Sequence, residues 1–131
     1  MSEICQITYN GLALPLNGVN YVMFSTVDAG MGAGQAQANG FKKLTFAVGN
    51  DVAGTLNFYR GTRATPAAGV GVAGWDQVSS TAVAPAGAAA TNMYEFLIES
   101  FPHFKLEWLN GAGNQTVFGP DIALVDERHA V

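Results

Sequence analysis

The chain has 131 residues, 49% of them apolar and only 12% charged, with a formal net charge of −4. That length suits one domain with a core able to stand unaided, and six Lys and Arg argue against nucleic-acid binding, which needs clustered cations. The lone cysteine, Cys5, excludes an intrachain disulfide and a cysteine-based zinc cluster, and no window reaches the roughly eighteen apolar residues of a membrane helix.

The opening Met1-Ser2-Glu3-Ile4 has neither a basic n-region nor a long apolar run, so the expectation is a chain made in a cytoplasm without a Sec-type leader. Residues 5–9 alternate weakly and end at Asn10-Gly11, a two-residue turn pattern. Leu12, Leu14 and Leu16 alternate next, and Pro15 confines that piece to a sheet edge. After a second turn pair, Asn17-Gly18, residues 19–26 (VNYVMFST) are rich in β-branched and aromatic side chains and read as a strand. Residues 28–40 are nearly all Gly, Ala, Gln and Asn. Gly30, Gly32 and Gly34 weigh against a helix there, so the segment reads as a surface loop.

The strongest local pattern is residues 41–59, FKKLTFAVGNDVAGTLNFY. Leu44, Phe46 and Val48 alternate with smaller groups in one arm, and Leu56 and Phe58 do so in the other. The connection Asn50-Asp51-Val52-Ala53-Gly54 supplies turn chemistry, and the spacing predicts a hairpin beside which the other strands pair or pack.

Residues 61–74 and 85–90 are further loops of small residues, flanking two short strand pieces, 75–78 and 79–83. Residues 91–99 alternate through Met93, Tyr94, Phe96 and Ile98. Beyond Pro102, Phe104, Leu106 and Trp108 alternate with Lys105, Glu107 and Leu109 in a strand. A turn from Asn110-Gly111 through Asn114 brings 115–118 back antiparallel, and Pro120 separates that piece from a last strand over 122–127. Short strands at about ten-residue spacing, without helical period, predict an all-β fold in a single domain over residues 1–131: an antiparallel β-sandwich or jelly roll of about eight strands. Phe46, Phe58, Phe96, Phe104 and Trp108 are the expected inner-face residues.

Catalysis needs a nucleophile, an acid or base, and a group to orient them. His103 and His129 sit in no such motif, and Glu95, Glu99 and Glu107 alternate with core positions, as the solvent face of a strand does. Gly30-Met31-Gly32-Ala33-Gly34 lacks the Lys-Ser/Thr of a phosphate loop. Asn50, Asp51 and Asp76 offer oxygen ligands of the kind calcium takes, but they read equally as turn formers and a residue beside a buried Trp. The reading is a protein without catalytic residues, metal or other cofactor. Tyr21, Tyr59, Trp75 and Tyr94 fall at strand ends or off phase and form a candidate sugar platform, set against the ordinary use of aromatics as core.

The loops 28–40, 61–74 and 85–90 are long and charge-poor. Such segments can lie against a neighbouring protein and lose water at small polar cost, or can be tolerated spacers. Met31, Gln35, Pro66, Val70, Val72 and Pro85 are the candidate interface residues on them.

The run Phe41-Lys42-Lys43-Leu44-Thr45-Phe46, then Asn50-Asp51, Ala53-Gly54-Thr55-Leu56 and Tyr59, resembles small β-sandwich virion proteins of tailed bacteriophages. Trp75, the stretch Phe104-Lys105-Leu106-Glu107-Trp108-Leu109-Asn110-Gly111, Gln115-Thr116 and Phe118 extend the resemblance over residues 19–126. It implies a capsid cement or decoration subunit of the virion, a homo-oligomer with a trimer favoured, seated where major capsid proteins meet. Other members of that group are tail or fibre components with a sugar-binding or adhesion role. The implied partners are virion proteins, with neither nucleic acid nor membrane.

Overall fold

The structure, a computed structural model, describes residues 3–7, 14–27, 43–62, 66–86, 92–98 and 103–126, with the backbone alone at 3–7 and 126. The elements are β1 (Glu3–Ile7), β2 (Asn20–Ser25), β3 (Lys43–Asn50), β4 (Gly54–Gly61), β5 (Trp75–Val83), β6 (Asn92–Leu97), β7 (Phe104–Asn110) and β8 (Phe118–Asp126). They form two four-stranded antiparallel sheets, β1-β8-β3-β6 and β2-β7-β4-β5.

The pairings explain the architecture. β1 pairs with β8, β2 with β7, β3 with β6 and β4 with β5, as in one long antiparallel ribbon folded at its middle. Rolling that ribbon adds β3–β8 and β4–β7 and sends alternate pairs to opposite sheets. The result is an eight-stranded jelly roll, so the expected fold class is the observed one. The expected inner-face residues are all buried, joined by Met23, Phe24, Leu44, Leu56, Leu106, Phe118, Ile122 and Leu124. Phe58 of one sheet stacks on Phe96 of the other at 4.8 Å, and Trp108 tilts against Phe118 at 5.2 Å. Each such side chain contributes about 1.5–3 kcal/mol through burial.

The expected hairpin over 41–59 is not one. Its arms, β3 and β4, lie in different sheets and face each other across the core. Alternation is satisfied equally by two strands side by side and by two strands stacked face to face, because it specifies only that one side of each is apolar. What turns the connection into an arch is a buried polar corner. The Asn50 side chain donates to Val52 O (2.8 Å) and Ala84 O (3.3 Å). Gln115 accepts from Asp51 N (3.2 Å) and Val52 N (3.0 Å), while its amide donates to Val52 O and Asn110 Oδ1, both at 2.8 Å. These side chains meet Asp51 N, Val52 N and Val52 O without a ladder partner, and Gly111 N donates to Ala53 O at 2.9 Å.

The same corner overturns the expected returning strand at 115–118. Thr116 N (2.9 Å) and Val117 N (3.0 Å) donate to the Asp51 carboxylate, as does the Thr116 hydroxyl. The Thr116 hydroxyl bond, followed by that of the Val117 amide, holds the Asp51 pKa down at about 2. The folded value lies below the ordinary 3.8, so the stabilisation is complete above that pH and is lost as pH falls through about 2. Acid unfolding of wild type and Asp51→Asn should show a stability gap at neutral pH that closes across this window; a gap independent of pH would refute the assignment.

Three smaller expectations also change. Of the expected edge piece 12–16, residues 14–16 form no strand and 12–13 lie outside the described residues; Pro15 O accepts from Gln115 N (2.9 Å), and Asn17 in the turn that follows exchanges bonds with Asn114 and Gly113 (2.8 and 3.1 Å). The two pieces at 75–83 are one strand. β8 runs through Pro120, which pairs with Val48 of β3, so the proline lies within the last strand and does not precede it.

Candidate functional site

On β7, inward Phe104, Leu106 and Trp108 leave Lys105 and Glu107 on the outer face of their sheet, where solvent exposure is the natural expectation for Glu107. The structure corrects it: both side chains are 1% exposed. Residues 66–74 fold back over this face and cover them.

The arrangement beneath that loop is specific. Lys105 Nζ lies 2.6 Å from Glu107 Oε2 and donates to Gly69 O (3.0 Å) and Gly71 O (2.6 Å). It stands over the rings of Tyr59 (5.1 Å) and Trp75 (4.9 Å), which supply cation–π attraction. Glu107 accepts from Gly71 N (3.2 Å) through Oε2 and from the Asn20 amide (2.8 Å) through Oε1. Trp75 Nε1 donates to Ala67 O at 2.8 Å, and Ala67 N to Ala73 O at 3.2 Å closes the loop on itself. Burial, with the Glu107 carboxylate adding to it, pushes the Tyr59 phenol above its ordinary pKa.

Two carbonyls two residues apart can both aim at one ammonium because Gly69 (φ +81°) and Gly71 (φ +124°) take left-handed backbone. Desolvating two charges is costly, and their attraction offsets that cost only when the remaining donors and acceptors are met. Here the loop's own carbonyls and amide meet them, so loop order and the buried pair depend on each other.

The candidate interface residues divide accordingly. Val70 and Val72 project from the loop, 52% and 65% exposed, on either side of Gly71. Pro66 is buried against Gly61 and His103, Pro85 is exposed, and Met31 and Gln35 lie outside the described residues. Of the candidate sugar platform, Tyr59 and Trp75 come together, but each is 6% exposed and turned to Lys105. Tyr21 on β2 and Tyr94 on β6 pack against the core from edge strands of different sheets. Burial raises the pKa of Tyr94, and the Tyr21 hydroxyl accepts from Leu16 N at 2.9 Å.

Asn50 and Asp51 are taken up in the polar corner, and Asp76 lies 3.6 Å from Arg60. That pair, with Gln77 and Val78, lines an open cleft of about 320 Å³. His103 Nδ1 is 3.1 Å from the Thr26 hydroxyl; His129, Glu99 and the glycines at 30–34 lie outside the described residues. Among the described residues no group of three His, Cys, Asp or Glu is placed to hold a metal ion, and no helix is long and apolar enough to cross a membrane. The Lys105–Glu107 pair escaped sequence reasoning because alternation marks a face of a strand without saying what covers it. The glycine spacing at 69, 71 and 74 was the one hint that the loop has a defined path.

No protein-family model matches the chain, and no curated protein matches it. Among solved structures it is similar to the crystal structure of PBSX exported protein XepA, with a TM-score of 0.62 and 14% identity over 100% of this chain. The chain spans 38% of the length of that protein. Likeness at that identity is likeness of fold: the two share a β architecture.

Proposed function

We propose that this chain is a non-enzymatic structural protein of a bacteriophage particle and that, within it, the chain serves as a capsid cement or decoration subunit. The observation that carries the reading is the neutral loop 66–74, held in one shape over a buried ion pair with two valines facing outward. Its fold, shared with a phage exported protein, supports the phage setting. A stiff sandwich with charge-poor projections adheres by burying surface: a standard interface removes about 1,200–2,000 Å² from water, and shell symmetry repeats it. The partners on this reading are major capsid subunits, with self-association as a trimer, and the location is the virion. The carbohydrate-binding alternative draws less support, since the rings of Tyr59 and Trp75 already face Lys105.

Fractionation of purified particles tests this. The chain should sediment with shells in a copy number matching a class of symmetry-related capsid sites. Recovery only from the soluble fraction, or only with tails, would overturn the cement role.

A further inference from the structure

The buried pair has a third member, Asn20, whose placement the latching of the loop does not explain. We propose that Lys105, Glu107 and Asn20 form a self-reacting triad: the Lys105 amine condenses with the Asn20 side-chain amide, tying β2 to β7 by an isopeptide bond, with Glu107 as the catalytic residue. Glu107 acts once and on its own chain, so the inference stands apart from the virion reading and adds no turnover.

The three side chains share the outer face of one sheet. Lys105 and Glu107 lie two apart on β7, and Asn20 sits opposite Leu109 on the adjoining β2. One carboxylate bridges the other two groups, with Lys105 Nζ 2.6 Å from Oε2 and the Asn20 amide donating to Oε1 at 2.8 Å. Glu107 therefore touches the nucleophile and the leaving nitrogen at once, which is the placement of a general acid–base group. Asn20 Oδ1 is buried and meets no donor among the described residues. An amide placed for structure alone would have both its polar atoms met. The surroundings suit the chemistry as well. Lys105 and Glu107 are 1% exposed, the rings of Tyr59 and Trp75 flank Nζ, and residues 66–74 close over the site. Desolvation activates a lysine as nucleophile, and exclusion of water protects the bond once made.

The step balances without an added reagent. Glu107 takes a proton from the Lys105 ammonium, and the neutral amine attacks Asn20 Cγ. For this Nζ must close to about 3–3.5 Å from that carbon, a swing that the flexible four-carbon stem permits. Glu107 then hands its proton to Nδ2 through the 2.8 Å contact and accepts a second one from Nζ. The Cγ–Nδ2 bond breaks, ammonia leaves, and the Nζ–Cγ amide remains beside a protonated Glu107. Both buried charges have vanished, and with them the desolvation cost of keeping an ion pair out of water. The product fastens β2, which lies at the edge of its sheet and pairs only with β7. It also closes most of the chain into one covalent loop, a constraint on the unfolded state of the kind a disulfide supplies, in a chain whose lone cysteine can form no intrachain disulfide.

The experiment is intact mass spectrometry of the purified full chain under denaturing conditions, before and after prolonged incubation at neutral pH, with proteolytic mapping. The wild type should become lighter than its sequence by one ammonia and yield one linked peptide joining residues 20 and 105. Asn20→Asp should lose water instead and converge on the wild-type mass, because both condense to the same product. Asn20→Ala, Lys105→Met and Glu107→Gln should keep their full masses, and Asn20→Ala should unfold at lower urea than the linked wild type. A purely structural pair leaves every mass unshifted, so a full-mass wild type overturns the proposal even where a variant fails to fold. Ammonia loss confined to Asn17 or Asn110, each followed by glycine, without a linked peptide overturns it too. A linked Glu107→Gln protein overturns the role of Glu107.

Discussion

Lys105→Ala is expected to destabilise the protein by about 3–5 kcal/mol, the range for removing one partner of a buried ion pair. The loss has little to do with a missing attraction in water. It comes from Glu107, left 1% exposed with Asn20 and Gly71 as donors and no cation. Loop opening competes with this penalty: if residues 66–74 lift and water reaches the carboxylate, the cost falls toward that of the loop's lost bonds. Replacing both charges, as in Lys105→Met/Glu107→Leu, should recover much of the loss, since volume is kept and no charge is stranded. Urea denaturation of the three proteins measures this. A double variant less stable than Lys105→Ala would show that the loop carbonyls, left without donors, outweigh the stranded charge.

Gly54→Ala is the second large effect. A methyl group there would run into the indole of Trp108, a fully buried ring tilted on Phe118 and tied by Nε1 to Asn110 Oδ1 at 3.1 Å. The ring is rigid and enclosed, so strand β4 must yield instead. Overpacking of this kind costs about 1–3 kcal/mol, and the lack of any flexible group to move places this site at the top of that range. A Trp108→Phe background removes the ring edge and should make the added methyl nearly neutral, a coupling that a double-mutant cycle reads directly. Additive losses would mean that Gly54 is required for another reason.

The two variants report on different layers. Gly54 and Trp108 belong to the core between the sheets, and their failure should lower the global unfolding transition. Lys105 and Glu107 belong to the second, smaller layer between one sheet and its own loop. Local opening there precedes global unfolding whenever the loop is the weaker unit, so hydrogen exchange at Gly71 should respond before the denaturation midpoint does.

Period-two alternation at Leu44–Phe46–Val48, Leu56–Phe58 and Phe104–Leu106–Trp108 was enough to establish an all-β chain and the apolar side of each strand. Glycine-rich, charge-poor segments were enough to point to loops as the surface of interest. Both are local properties, carried by neighbouring residues and the two-residue repeat of a strand. The pairing of β3 with β8 rather than β4 was not local, since it depends on Gln115 and Asp51 meeting 64 residues apart to close the corner. Nor was the fate of Lys105 and Glu107, which the alternation assigns to an outer face and only the fold-back of residues 66–74 removes from water. A strand's sequence determines which way its side chains point; what lies opposite them is decided by contacts between segments far apart in the chain, whose favourable energy exists only once the whole ribbon has rolled up.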